Sequence, residues 1–333
     1  MTSTTAPVRL AGGSVAPAAL ARPGTGTFAM VAADQRDSLR TMMAERAGVP
    51  GSAIPDDRLT AFKTAVAREL GPYASALLID RRYGYRRLID DRVLPAGCAP
   101  ILAVDVLDQR PGGPVEDTAL EADVDTAAVV RDGTRGLKLL VIWRRDGRRE
   151  QRIALASRFV ELCRTAGLAS VLEPVARATP EEERAGTFAL NDAIVEAARE
   201  LAPLRPSLYK CQVPDGGVGG LDRLTAQAAR IDEVVDVPWV VLSQGVAAGD
   251  FPTAVEAACR AGASGFLAGR ALWTDALTGD RDAALRGPSA ERLRRLGEIV
   301  DAHGRPWWDA AAARAGDTAG AGKATAGAGE ASA

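Results

Sequence analysis

A lysine stands in the middle of a short apolar run at LYKCQVP, residues 208–214. Taking an unpaired ammonium out of water costs several kcal/mol or drives the group neutral. A neutral amine is a nucleophile that condenses with a carbonyl to form a Schiff base. A lone strand lysine can equally lay its methylenes along apolar surface and keep its head in water, so Lys210 by itself leaves both readings open. A second lysine, Lys138, lies in a similar run, GLKLLVIW. Only four lysines occur, Lys63, Lys138, Lys210 and Lys323, among 41 basic residues, so two of them inside hydrophobic runs carry more information than they would in a lysine-rich chain.

The single histidine, His303, falls in a C-terminal helical pattern. One histidine argues against a His-ligated zinc site, a Ser-His-Asp triad and a histidine general base. The chemistry is left to Lys, Asp, Glu, Arg, Ser or Tyr. Cys98, Cys163, Cys211 and Cys259 lie far apart with no CxxC pair. They imply no disulfide framework and fit a reducing cytoplasm. The formal net charge of −2 gives no global attraction to nucleic acid or an anionic membrane, and no apolar run is long enough to span a bilayer. A hydrophobic fraction of 47% is that of a globular domain.

The elements that must position these residues alternate in type. Residues 1–22 and the Ala/Gly-rich 311–333 read as disordered tails around a domain at 23–310, with Lys323 a solvated bystander. Strand patterns occur at 27–36, 74–84, 100–108, 136–146, 169–177, 208–213, 238–246 and 264–273. Helical patterns separate most of them: SLRTMMAERAG, DDRLTAFKTAVAREL, a helix from Arg149 stopped by Gly167, FALNDAIVEAARELA, LDRLTAQAARIDEVV, DFPTAVEAACRAGA with Asp250 as N-cap, and SAERLRRLGEIVDAHG. Lys63, beside the apolar stripe of the second helix, is expected to face solvent. The polar stretch 109–134 reads as an active-site loop, an elaborated crossover or a flap. Near-continuous apolar strands bridged by helices make a parallel sheet buried on both faces. Eight such units in roughly 285 residues predict an α/β (β/α)8 TIM barrel, which needs about 250. A doubly wound open sheet is the alternative, weakened because no G-x-G-x-x-G follows the first strand.

A barrel of this kind carries its site at the C-terminal strand ends. Those ends offer Asp34 with Gln35 and Arg36, then Asp80, Asp105, Lys138 with Arg144, Glu173, Lys210, Ser243 and Arg270. Each alone has a plain structural explanation, as a turn former, cap or surface charge. Their recurrence at successive strand ends is harder to explain that way.

The segments ADQRDSLRTMM, PYASALLIDRRYG, LKLLVIWRRD, EPV, LYKCQVP, VLSQGV and GASGFLAGRALW together resemble the class I aldolases related to tagatose 1,6-bisphosphate aldolase. PYASALLID, KLLVIWRRD, EPVAR, LYK and RLGEIVDAH most resemble the branch that cleaves 6-deoxy-6-sulfofructose 1-phosphate in sulfoquinovose breakdown. The resemblance covers roughly residues 25–305 and implies a metal-free, cofactor-free lyase that is a cytoplasmic homo-oligomer acting on a sugar phosphate. It implies that Lys210 forms the Schiff base and Glu173 takes the substrate hydroxyl proton, while Asp34 orients hydroxyls. Lys138 would stand as a cation beside Lys210, since a cationic neighbour and desolvation both favour a neutral amine. Ser243, Gly245, Gly269 and Arg270 would bind the 1-phosphate. Gln35 would touch the aldehyde half, and Arg36 and Arg144 the group on C6. The products would be dihydroxyacetone phosphate and a three-carbon aldehyde: 3-sulfolactaldehyde, or glyceraldehyde 3-phosphate from a tagatose or fructose bisphosphate. A sugar-phosphate-sensing regulatory barrel, and an isomerase or decarboxylase barrel that would not require Lys210, are the readings from other classes.

Overall fold

The computed structural model describes residues 9–10, 13–110 and 113–312. Eight parallel strands close into a barrel, as expected. They are β1 (Phe28–Ala33), β2 (Ala76–Asp80), β3 (Ala99–Ala103), β6 (Gly136–Trp143), β7 (Ala169–Ala176), β8 (Leu208–Gln212), β9 (Trp239–Leu242) and β10 (Gly265–Ala268). The numbering leaves room for β4 (Asp105–Gln109) and β5 (Val115–Leu120), which pair with each other as an antiparallel hairpin outside the barrel. The order around the ring is β1-β10-β9-β8-β7-β6-β3-β2. Gly265 allows the closure: its φ is +140° and a Cβ there would lie 1.9 Å from the Phe28 carbonyl oxygen, so no side chain fits between β10 and β1.

The two-residue period divides each strand between two cores. Phe28, Met30 and Ala32 of β1 fill the barrel interior with Leu78, Leu208 and Leu267. Ala29, Val31 and Ala33 face outward into the larger layer beneath the helices. The helices follow the apolar periodicity closely: Asp56–Leu70, Arg149–Ala166, Leu190–Leu201, Leu221–Asp232, Phe251–Ala261 and Ala290–His303. Gly167 ends its helix at φ +71°, the left-handed stop that glycine accepts most easily. Asp250 precedes its helix but makes no side-chain cap bond. Among the described residues no helix is long and apolar enough to cross a membrane.

Three expectations are corrected. Residues 13–22 are not a tail: Ser14, Val15 and Ala16 are buried, and Leu20, from the 3-10 turn Pro17–Leu20, joins the interior core beside the first residue of β6, Gly136. It plugs the end at which the strands begin. Residues 1–8 and 313–333, with Lys323, lie outside the described residues. The third expected strand splits at Val104, where the chain leaves the barrel as the hairpin, and 109–134 ends with the helix Thr126–Arg131.

Lys63 is the third. It is fully buried under the helix layer and ion-pairs with Asp80. Its ammonium lies 5.5 Å from the Tyr83 ring centroid, and the second Asp80 oxygen accepts the Tyr83 backbone N–H at 2.8 Å. The helical stripe placed Lys63 at the edge of the apolar face; the partner that lets it go inside comes from β2, remote in sequence. Burial lowers the Lys63 pKa, and Asp80 offsets only part of that. Breaking a buried pair from one side leaves an uncompensated charge, at a cost of about 3–5 kcal/mol. Asp80→Ala is therefore expected to lower the urea midpoint steeply, whereas Lys63→Met combined with Asp80→Leu loses much less. Equal losses in the single and double variants would show that the pair is not what holds this helix to the strand.

Candidate active site

The C-terminal strand ends enclose a cavity of about 470 Å³. Lys210 reaches it because it shares the inward face of β8 with Leu208, and Glu173 shares that of β7 with Val171. Leu172 is in register with Tyr209, so the next residues along, Glu173 and Lys210, stand side by side. Lys138 lies lower on β6, level with Val171. Asp34 and Gln35 follow β1, and Asp105 begins the hairpin directly after β3.

These groups form one network. The Glu173 carboxylate bridges two ammoniums, with Oε1 3.0 Å from Lys210 Nζ and Oε2 2.8 Å from Lys138 Nζ. Lys138 Nζ also lies 3.0 Å from Asp34 and 3.0 Å from Asp105. Asp105 accepts from the Leu140 N–H at 3.1 Å and from Arg36 at 2.7 Å. Burial alone would lower the Lys138 pKa, but Asp105, Asp34 and Glu173 outweigh it and hold the group well above an ordinary lysine. Burial would raise the Asp34 pKa, yet Lys138, Lys210 and Arg36 hold it far below the usual carboxylate range. Arg36 is likewise raised against burial by Asp105, Asp34 and Asp80. The result is a lattice of charge in which, among the described residues, Glu173 is the carboxylate that ion-pairs with Lys210. Among the described residues, no group of three or more His, Cys, Asp or Glu is arranged to hold a metal; where three of the carboxylates converge, the cation is Lys138.

The side beyond β9 and β10 is built differently. Ser243 and Gln244 follow β9, and Gly269 and Arg270 follow β10. The eighth strand ends sooner than its apolar pattern suggested, and Arg270 opens a short helix, Arg270–Trp273. Among the described residues its guanidinium makes no hydrogen bond or ion pair, and burial lowers its pKa, with Asp34 and Glu173 offsetting that in part. A partly desolvated, unengaged guanidinium is ready to take an oxyanion through its fork. A Cβ on Gly269 would come within 2.6 Å of the Ala32 carbonyl oxygen and 2.8 Å of Gln35 Nε2, so packing requires glycine there.

Of the residues singled out from sequence, Asp34, Gln35, Arg36, Lys138, Glu173, Lys210, Ser243, Gly269 and Arg270 line the cavity. Gly245 does not, although its φ of +85° shapes the turn after Ser243. Arg144 does not either: its guanidinium is taken by Glu116 at 2.7 Å and by the Glu116 and Ala178 carbonyls, and it opens onto a neighbouring cleft. Glu173 stands between Lys138 and Lys210. Arg36 is committed to Asp105. The cavity also contains Arg177 and Gln244, which sequence reasoning passed over. Arg177 follows Glu173 and Val175 at the strand period, a signal that was available; Asp105 was visible as a strand end, though its partners were not.

A family model described as DeoC/LacD family aldolase matches residues 28–275. The tagatose 1,6-diphosphate aldolase of Listeria monocytogenes serotype 4b (strain F2365) is 30% identical over 312 residues, covering 85% of this chain and 90% of that protein. The tagatose 1,6-diphosphate aldolase 2 of Streptococcus pyogenes serotype M1 is 27% identical over 316 residues, covering 85% and 93%. Among solved structures, a fructose-bisphosphate aldolase from Plasmodium falciparum matches with a TM-score of 0.60 at 14% identity, over 90% of this chain and 98% of that one. An archaeal fructose-1,6-bisphosphate aldolase, with its catalytic Lys covalently bound to the carbinolamine intermediate, matches at 0.53 and 15% identity over 84% and 96%. The two structures speak to the fold alone. The extent of the family match and the near-complete alignment with the Listeria protein settle the grouping: the chain belongs to the DeoC/LacD aldolase family.

Proposed function

We propose that the protein is a Schiff-base aldolase that cleaves a ketohexose 1-phosphate into dihydroxyacetone phosphate and a three-carbon aldehyde. The observation that carries this reading is the Glu173 carboxylate held between Lys210 and Lys138 at 3.0 and 2.8 Å. Contact with Glu173 gives the Lys210 ammonium a proton acceptor. The freed amine attacks the substrate ketone; Glu173 returns its proton to the carbinolamine hydroxyl, which leaves as water, so the iminium that forms serves as the electron sink and Glu173 is again a carboxylate. Glu173 then takes the proton of the C4 hydroxyl. The C3–C4 bond breaks, its electron pair passes through C3 to the iminium nitrogen, and the aldehyde departs. Protonation of the enamine at C3 and hydrolysis of the iminium release dihydroxyacetone phosphate and restore Lys210. Lys138 holds one Glu173 oxygen at 2.8 Å and so aims the other, and Asp34 orients substrate hydroxyls. Ser243 and Arg270 take the 1-phosphate, at the strand ends where barrels commonly hold one.

The C6 group divides two narrower readings. The names of the relatives favour a 1,6-bisphosphate, giving glyceraldehyde 3-phosphate. The PYASALLID and KLLVIWRRD segments favour 6-deoxy-6-sulfofructose 1-phosphate, giving 3-sulfolactaldehyde, although Arg144 of the WRRD segment is engaged by Glu116. Comparing kcat/KM for the two ketoses decides between them: a preference for the phosphate supports the first, and a preference for the sulfonate the second.

Two measurements test the chemistry. Borohydride reduction in the presence of dihydroxyacetone phosphate is expected to add the reduced triose to the peptide carrying Lys210; an adduct on Lys63 or Lys138, or none, contradicts the mechanism. Glu173→Gln removes the base and is expected to slow cleavage by about 10²- to 10⁴-fold. A variant that cleaves at the wild-type rate would take Glu173 out of the proton transfer.

A further inference from the structure

We propose that Arg177, with Gln244 of the same cavity lining, forms a second anion subsite that holds a tetrahedral oxyanion on the substrate carbon farthest from the 1-phosphate. This rests on the aldolase reading of the cavity and names what receives the other end of that substrate. Three arginines line the cavity: Arg36, Arg177 and Arg270. Arg36 is bound to both the carboxylate and the carbonyl of Asp105. Arg270 faces the proposed 1-phosphate corner. Arg177 is the other arginine there whose guanidinium has no hydrogen-bond or ion-pair partner among the described residues, and its Nε is buried without a hydrogen bond. A buried donor left unsatisfied carries a desolvation penalty, larger for a charged group, and a bound anion would remove it. Burial and the neighbouring Arg144 lower its pKa, and Glu116 and Glu183 offset this only in part.

Placement makes the subsite distal. Arg177 donates its backbone N–H to the Trp143 carbonyl at 2.9 Å, continuing the β6–β7 ladder past the end of β7. It lies four residues above Glu173 on the same face, roughly 13 Å at about 3.3 Å per residue. In the ring order β10-β9-β8-β7, Arg270 and Ser243 follow the first two strands and Arg177 the last. Lys210, on β8, is between them. A substrate anchored at both ends would therefore cross the Lys210–Glu173 pair. Ile142, Val175 and Leu242 form a small apolar cluster that also lines the cavity, and would exclude water from the span between the anchors. The Gln244 carboxamide oxygen is buried with no partner, so the amide can turn to offer its NH₂ to an anion without breaking a hydrogen bond. Phosphate and sulfonate share the chemistry this subsite recognises.

The test compares, in wild type, Arg177→Ala and Arg177→Lys, three ketoses: a 1,6-bisphosphate, the 6-sulfonate 1-phosphate, and a 1-phosphate with a C6 hydroxyl. The ratio of kcat/KM for a C6-anionic ketose to that for the C6-hydroxyl ketose is expected to fall roughly 10- to 100-fold in Arg177→Ala, mostly through KM, and less in Arg177→Lys. The anion with the larger fall identifies which oxyanion the subsite takes. An unchanged ratio for both anions overturns the proposal. Trapping of dihydroxyacetone phosphate on wild-type Lys210 tests the aldolase reading separately. If trapping fails, calorimetric binding of the same three ketoses to wild type and Arg177→Ala still decides the subsite by the same ratio.

Discussion

The mouth of this barrel depends on one ammonium. Three carboxylates brought together from β1, the hairpin and β7 would repel one another, and each would favour protonation of the others. Lys138, rising from β6 into their midst at 2.8–3.0 Å, makes the arrangement favourable and ties four chain segments together at the level where chemistry is to occur. It also fixes the direction of Glu173. With one oxygen held by Lys138, the other is left for Lys210. Lys210 thus meets one carboxylate from within the network, while Asp34 and Asp105 are drawn toward Lys138.

The chain buries a second lysine to a different end. Lys63 has one carboxylate partner, Asp80, and its burial is only partly offset, so its pKa falls. Lys138 has three, and its pKa rises. Equal burial produces opposite shifts because the number of opposing charges differs. In the helix layer such a pair locks one helix against one strand; inside the barrel the same chemistry is enlarged into a charge frame with room left for a ligand. Around that frame the cavity is lined by five cations and three carboxylates, a surplus suited to an anionic substrate.

Much of this was legible in the sequence. The barrel followed from eight apolar runs separated by helical stripes, because strand and helix periods depend on local pattern alone. Lys210, Glu173, Lys138 and Asp34 could be singled out because each is a charged residue within or just after an apolar strand, and the strands converge in any barrel. What escaped depended on partners distant in the chain. Lys63 looked solvent-facing because nothing near it announces Asp80. Arg144 looked free because Glu116 arrives from a hairpin that the polar stretch 109–134 did not reveal. Leu20 looked like part of a tail because its place at the base of the interior exists only once the barrel has closed.

The central claim is electrostatic, and the lysine side-chain nitrogens report it directly. With four lysines in the chain, ¹⁵N resonances of the ζ-amines can be assigned by substitution and followed through an alkaline titration. Lys138 is expected to remain an ammonium to higher pH than a free lysine, while Lys63 loses its proton at lower pH than a free lysine. A Lys138 that deprotonates at or below the pH of a free lysine would contradict the charge frame on which the site is built.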